Sequence, residues 1–146
     1  MVISCDTSFL FSVYGNDSNT SGAHDFLKRA KIPLTVTVLN EFELANALRL
    51  AEFRKLIASG HSELILGEYR RDMEDGRIME YPCNLASLFK RAHRLSEDHT
   101  TREGYRGFDI LHVAAAKEIG ATDFLTFDRN QSRLAQVVNL KTPLKV

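Results

Sequence analysis

The sequence predicts an α/β fold with a mostly parallel central sheet. Short apolar strands alternate with longer helical segments along the whole chain, which is the pattern of strand–helix–strand units. Asp6 and Asp128 each directly follow a predicted strand, at the sheet edge where parallel α/β sheets bind ligands. The 146 residues contain no repeat and no Pro-, Gly- or Ser-rich linker, so we expect a single domain over residues 1–146.

Four segments have the apolar, β-branched or aromatic composition of buried strands. They are residues 2–5, 34–38, 77–81 and 124–127. We expect the last residues, 138–146, to add an edge strand or to end as a tail.

Seven segments carry apolar residues at helical spacing between capping signals. Ser62 is the expected N-cap of the fourth helix, and a polar loop over residues 99–107 is expected before the sixth. Gly60 and Gly120 are suited to ending the third and sixth helices. The predicted helices are 9–14, 21–30, about 39–58, 63–74, a segment opened by Asn84 that carries Leu95, 108–119 and 128–137.

Composition excludes several classes of protein. Lys plus Arg and Asp plus Glu both total 19, so the formal net charge is zero and any surface for nucleic acid must be local. Cys5 and Cys83 form no CxxC pair, which argues against a zinc site or a disulfide framework and favours a reducing cytoplasm. The first residues lack a basic region, so no signal peptide is expected. No apolar run reaches the roughly 18 residues of a membrane span.

Acidic residues occupy positions typical of catalytic or metal-binding groups. Asp6 and Asp128 follow strands, and Asp109 begins a nearly all-apolar helix, where the helix dipole stabilises a carboxylate. Each of these acids is equally well explained as a helix cap or first-turn acid. His112, one turn after Asp109, is expected to be an ordinary core histidine.

Glu43 borders the apolar face of the third helix, with Ala47 one turn further on. Glu41 is its rival and lies about 200° away around the helix; a solvated glutamate is the plain alternative for either. Together the acids, without a Cys cluster or a spaced His pair, suit a hard cation such as Mg²⁺ or Mn²⁺. Thr126 should point to the same side of its strand as Asp128 and could support a ligand.

The residues at these positions resemble the PIN-domain nucleases, and in particular the VapC-type toxins of toxin–antitoxin pairs. The resemblance spans essentially the whole chain, and its most specific part runs from Asp109 to Asp128. The matching segments are Val-Ile-Ser-Cys-Asp6-Thr-Ser8, Glu43-Leu-Ala-Asn-Ala-Leu48, Phe108-Asp-Ile-Leu-His-Val-Ala-Ala-Ala116 and Gly120-Ala-Thr-Asp-Phe-Leu-Thr-Phe-Asp128.

The resemblance implies a PIN-like three-layer α/β/α sandwich and Mg²⁺- or Mn²⁺-dependent hydrolysis of RNA. It implies an acidic quartet of Asp6, Glu43, Asp109 and Asp128, with Thr126 behind it, and it leaves Glu41 outside the motif. Attack by water, and not by the ribose 2′ hydroxyl, would leave a 5′ phosphate and a 3′ hydroxyl.

RNA held near an acidic pocket needs local positive charge. Arg102 and Arg106 precede Asp109 and Arg129 follows Asp128, so these three are the candidate phosphate contacts. A looser basic set lies on the helices after Glu43; most of its members are expected to be solvated. It consists of Arg49, Arg54, Lys55, Arg70 and Arg71.

The helices after Glu43 are more apolar than a surface layer requires. They could bind an antitoxin helix or a second copy of the chain, or simply form the core. The residues concerned are Phe53, Leu56, Ile57, Leu64, Ile65, Leu66 and Tyr69.

Three alternatives remain for the function. A phosphotransferase of the haloacid dehalogenase type also begins strand–Asp, but it requires a second Asp where this chain has Ser8. A PIN module that only binds RNA or protein would normally lack one or more of the four acids. A housekeeping RNA-processing nuclease would share the chemistry, and a small antitoxin gene next door would separate it from a toxin.

Overall fold

The computed structural model describes all 146 residues. It contains four strands and seven helices. The strands are β1 (Ile3–Cys5), β2 (Leu34–Val36), β3 (Ile78–Glu80) and β4 (Asp123–Leu125). The helices are α1 (Thr7–Tyr14), α2 (Thr20–Ala30), α3 (Val38–Phe53), α4 (His61–Glu74), α5 (Leu85–Glu103), α6 (Gly107–Glu118) and α7 (Arg129–Val137).

The four strands form one sheet in the order β3-β2-β1-β4, and every neighbouring pair is parallel. This confirms the predicted α/β class and parallel sheet. Asp123 pairs with Ile3 at the start of β4. It therefore lies at the N-terminal end of the strands, opposite the C-terminal end that carries Asp6. The C-terminal residues add one isolated bridge, between Lys141 and Asp123, which extends the β4 edge without forming a full strand.

Helices cover both faces of the sheet, and each face has its own core. One core packs residues of α5, α6 and α7 against Phe124, and the other packs residues of α1 to α4 against Leu125. Phe124 and Leu125 point to opposite faces because side chains alternate along a strand. The arrangement is the three-layer sandwich that the resemblance implied. None of the helices combines the length and the apolar character needed to cross a membrane.

Two helix ends differ from the prediction. α3 ends at Phe53 and not near Ala58, because Lys55 adopts a left-handed conformation (φ 59°) that interrupts the helix. α5 continues to Glu103, so the predicted loop over 99–107 shrinks to three residues, 104–106. Its end is set by Gly104, whose φ of 71° is easily adopted only by glycine.

The start of α4 was also predicted incorrectly. Gly60 is the N-cap, and Ser62 lies inside the helix, where its hydroxyl and its backbone N–H both donate to Glu52 Oε1. Ser62 therefore ties α4 to the end of α3 and does not cap its own helix.

Asn40 joins the sheet to the start of α3. Its side-chain Oδ1 accepts from the backbone N–H of Thr37 (2.9 Å), and its Nδ2 donates to the carbonyl of Cys5 (3.0 Å). Asn40 is fully buried, so both bonds replace water contacts that it cannot make. They hold the N-terminal end of α3 against the C-terminal end of β1, which Asp6 directly follows.

Replacing Asn40 tests this link. Asn40→Ala leaves the Thr37 N–H and the Cys5 carbonyl without these partners, so we expect the free energy of unfolding to fall by about 1–3 kcal/mol. Urea denaturation followed by circular dichroism measures it. Asn46→Ala, at an exposed position of the same helix, is the matched control and should change stability little. Equal effects of the two variants would contradict this role of Asn40.

Candidate active site

Parallel pairing of β1 and β4 brings Asp6 beside Thr126. Cys5 pairs with Leu125 at the ends of the two strands, so the next residues along the chain are neighbours. The Asp6 backbone N–H donates to the Leu125 carbonyl (3.1 Å), and Thr126 Oγ1 donates to Asp6 Oδ2 (2.7 Å). Thr126 therefore directly supports Asp6. From its position on the strand we predicted that Thr126 could support a ligand residue, without identifying which one.

Asp6 is buried, with 4% of its surface exposed. Besides Thr126, two donors from the start of α1 reach it: the Ser8 hydroxyl (2.7 Å to Oδ2) and the Phe9 backbone N–H (2.9 Å to Oδ1). Burial raises the pKa of Asp6 above its usual value, although these hydrogen bonds act to lower it. Asp6 is also the N-cap of α1, as the capping interpretation predicted.

Like Asp6, Asp128 lies between a strand, β4, and the helix that it caps, α7. Its Oδ1 accepts from the Gln131 backbone N–H (2.8 Å), which makes it the N-cap. Its backbone N–H donates to Thr126 Oγ1 (2.9 Å). The Thr126 hydroxyl thus accepts from Asp128 and donates to Asp6, which fixes the positions of both acids relative to each other.

Asp109 lies in the first turn of α6, as predicted. Its Oδ2 accepts from Arg106 Nε at 3.0 Å, and this hydrogen bond and charge attraction raise the pKa of Arg106. The Arg106 side chain is 80% exposed, so the pair contributes little to stability. Gln131 Nε2 also donates to the Asp109 carbonyl (3.2 Å), which links the starts of α6 and α7.

Glu43 reaches the site from α3 and meets His112 of α6. Glu43 Oε2 and His112 Nε2 are 3.3 Å apart, and Thr7 Oγ1 is 3.2 Å from the same nitrogen. An ionised carboxylate only accepts, so Nε2 carries the hydrogen in this contact. The other ring nitrogen of His112, Nδ1, is buried and has no hydrogen-bond partner.

The pKa of Glu43 is lowered by its surroundings. Partial burial acts to raise it, but the hydrogen bond and charge of His112, a hydrogen bond from Thr7 and the charge of Arg106 together outweigh burial. Glu43 is therefore held as an anion. His112 is buried, as expected from the sequence, but its contact with Glu43 was not anticipated.

The four acids line one small cleft of about 100 Å³. No hydrophobic residue contributes to its wall, and Glu41 is not part of it. The lining residues are Asp6, Thr7, Ser8, Glu43, Arg106, Asp109, His112, Asp128 and Gln131. A larger cavity, of about 390 Å³, opens where β2 and β3 begin and contains none of these acids.

The three predicted arginines occupy different positions. Arg106 lines the cleft. Arg129 is exposed at the first position of α7, next to Asp128. Arg102 donates to the Asp98 carbonyl of its own helix and is not part of the cleft wall. Of the looser basic set, Arg49 and Arg70 pair with Glu63 on the surface.

The donor chemistry of the cleft fits a hard divalent cation. All four acids offer carboxylate oxygens, and the hydrogen bonds at Asp109 and Asp128 each engage only one of the two oxygens. No three Asp, Glu, His or Cys side chains are gathered into one direct ligand set. That spacing is compatible with Mg²⁺, which usually keeps several waters and takes one or two carboxylates.

A family model described as PIN domain matches residues 3–137 of the chain. No curated protein matches the sequence significantly. Among solved structures, VapC20 of Mycobacterium tuberculosis, described as a Sarcin-Ricin loop cleaving toxin, has a TM-score of 0.68 at 17% identity, covering 90% of this chain and 93% of that one.

Two further structures have a similar fold. VapBC2 from Rickettsia felis, bound to a DNA fragment from its promoter, has a TM-score of 0.67 at 14% identity and covers 97% of both chains. FitAcB from Neisseria gonorrhoeae has a TM-score of 0.62 at 17% identity, covering 97% of this chain and 96% of that one. At these identities the likeness concerns the fold.

The Thr126 hydroxyl can be removed with little change in side-chain shape. Thr126→Val takes a donor from Asp6 and an acceptor from the Asp128 N–H, so we expect the free energy of unfolding to fall by about 1–3 kcal/mol. Urea denaturation of the metal-free protein measures the change. Thr101→Val, at an exposed position of α5, is the control. A loss no larger than that of the control would mean that the hydroxyl does not support the two acids.

Proposed function

Because this chain belongs to the PIN-domain family, we propose that it is a metal-dependent endoribonuclease that hydrolyses RNA phosphodiester bonds. The observation that carries the proposal is the convergence of Asp6, Glu43, Asp109 and Asp128 on one polar cleft. Collected acids repel one another, and a divalent cation relieves that repulsion. Mg²⁺ or Mn²⁺ is the proposed cofactor.

The acids would hold the cation, and their neighbours would hold the acids. Thr126 and Ser8 fix Asp6, and His112 orients Glu43. The bound metal would supply a Lewis acid that lowers the pKa of water and stabilises charge on the phosphate. Hydrolysis by water leaves a 5′ phosphate and a 3′ hydroxyl, and it needs no pair of histidines as acid and base.

Arg106 is the strongest candidate for contact with the RNA backbone. Asp109 holds its Nε, while the exposed guanidinium keeps further donors free for a phosphate at the mouth of the cleft. Arg129 is proposed as a second, outer contact. Arg102 is the weakest of the three because its guanidinium is bonded within α5. The positive charge needed to hold RNA is therefore supplied locally at the cleft, although the net charge of the whole chain is zero.

The biological role that we propose is that of the toxin in a toxin–antitoxin pair, acting on RNA in the cytoplasm. VapC20, whose fold is similar, is described as a toxin that cleaves the Sarcin-Ricin loop. A small antitoxin protein and a second copy of the chain are the proposed partners. A catalytically silent binding module is the alternative, and the pairing of Asp109 with Arg106 is the observation in its favour.

The test of the nuclease proposal compares acid-to-amide variants on mixed cellular RNA. Asp6→Asn should lower cleavage about 100-fold or more, the scale of removing one preorganised electrostatic contact. Asp128→Asn should do the same and retain the N-cap of α7, because Asn caps helices as well as Asp. Asp25→Asn, at an exposed position of α2, should cleave like the wild type.

Cleavage should require Mg²⁺ or Mn²⁺, stop in EDTA and leave 5′ phosphate ends. Cleavage that survives both EDTA and the Asp6→Asn substitution would refute the mechanism. A wild-type protein that is inert with either metal but still binds RNA would favour the silent module.

The α3–α4 connection is the proposed contact between two copies of the chain. Phe53, Leu56 and Leu64 are exposed there, whereas Leu66 and Tyr69 lie in the core. The apolar run in this region is thus divided between core and surface.

Light scattering after gel filtration tests this contact. We expect the mass of a dimer for the wild type and of a monomer for Leu56→Glu, because a charge buried at an apolar contact opposes association. Leu85→Glu, at an exposed position of α5, should leave the dimer intact. A dimer that survives Leu56→Glu would exclude this surface as the interface.

A further inference from the structure

The acidic cleft is too small to enclose a nucleotide. Its volume is about 100 Å³, whereas pockets that bury drug-sized ligands measure roughly 300–1,000 Å³. A phosphate group and its counter-ions fill such a space. The base attached to that phosphate must then lie outside the cleft, in contact with side chains near the mouth of the cleft.

Two phenylalanines are the chain neighbours of two acids of the cleft. Phe42 precedes Glu43 on α3, and Phe108 precedes Asp109 on α6. Phe42 is 64% exposed and Phe108 is 40% exposed. Their ring centroids are 6.5 Å apart and their planes meet at 27°, so the rings form a nearly parallel pair across the two helices.

The pair is attached to the site through His112. The Phe108 ring lies 6.1 Å from the His112 ring, and the same imidazole contacts Glu43. The positions of the rings and of the acid are therefore set by the same contact between α3 and α6. Two large rings left in solvent beside a polar cleft are apolar surface that the fold itself does not use.

We propose that Phe42 and Phe108 form a stacking platform for an unpaired base next to the phosphate held in the cleft. The proposal rests on the proposed function, since it assumes RNA as the substrate. Stacking needs only a free base face, so a platform of this kind accepts any base but requires unpaired RNA.

The surroundings favour RNA over a protein partner as the occupant. A partner helix would need a continuous apolar groove, but the rings adjoin a cleft wall without hydrophobic residues. Arg106 lines the same cleft and is highly exposed, so it adds positive charge that complements an RNA backbone. We therefore expect single-stranded RNA to be preferred to duplex RNA.

The chain contains no tryptophan, so one introduced at the platform is a unique fluorescent reporter. In the Asp128→Asn background with Mg²⁺, where the strand stays intact, Phe42→Trp is titrated with a mixed-sequence single-stranded RNA and with an abasic strand of equal length. Phe89→Trp is the matched control, because Phe89 is 49% exposed and lies at a separate cleft with Gly107 and Ile110.

The expected result is that RNA quenches Phe42→Trp, that the abasic strand does not, and that Phe89→Trp is unaffected by either. Absence of quenching, or equal quenching by the abasic strand, would overturn the platform. Cleavage of the same RNA by the wild type is scored in parallel. Quenching without cleavage would support the platform and refute the nuclease function. Cleavage without quenching would support the nuclease function, refute the platform and favour a protein partner as the occupant of the rings.

Steady-state kinetics then measure the contribution of the rings. Phe42→Leu and Phe108→Leu keep an apolar side chain but lose the ring, so each should raise KM for single-stranded RNA about tenfold, within the range of base–aromatic stacking, and change kcat less. Phe89→Leu should match the wild type. Unchanged KM in both platform variants, or the same rise for Phe89→Leu, would overturn the proposal.

Discussion

Asp6 is a carboxylate with 4% exposure, and burial of such a group costs several kcal/mol unless donors surround it. Three donors do so, and they come from two places in the chain: the start of α1 and the end of β4. The site can exist only if β1 and β4 are neighbours and if a helix begins immediately after β1. The parallel pairing of these strands is therefore a condition of the acidic cleft as well as of the fold.

Two of the other acids also lie where a helix begins. Asp128 caps α7, and Asp109 lies in the first turn of α6. Three helices thus begin at the cleft, and their N-terminal dipoles partly offset the repulsion among the acids. These dipoles lower the cost of placing several carboxylates in one cleft. For Asp6 and Asp128, explaining the acid as a helix cap does not compete with explaining it as a candidate site residue, because the cap is what holds the acid in place.

Local patterns were enough to predict the element order, the parallel sheet and the acids at strand ends. They failed where tertiary contacts decide. The apolar stripe of α5 has its last buried member at Leu95, so nothing in the periodicity indicates that the helix continues to Glu103. The contact between Glu43 and His112 joins residues that are 69 positions apart. Helical spacing identified each of them as near an apolar face, but could not pair them.

The packing of α3 against α6 accounts for what the sequence could not show. It brings His112 to Glu43. It also brings Phe42, one position before Glu43, to Phe108, which lies one turn before His112. Consecutive residues on a helix point about 100° apart, so one helix contact can direct an acid into the cleft and a ring onto its rim. If the rings bind a base, cleavage and base recognition both depend on the packing of α3 against α6. A substitution that moves α6 relative to α3 would then impair both together, whereas loss of a ring alone would impair recognition.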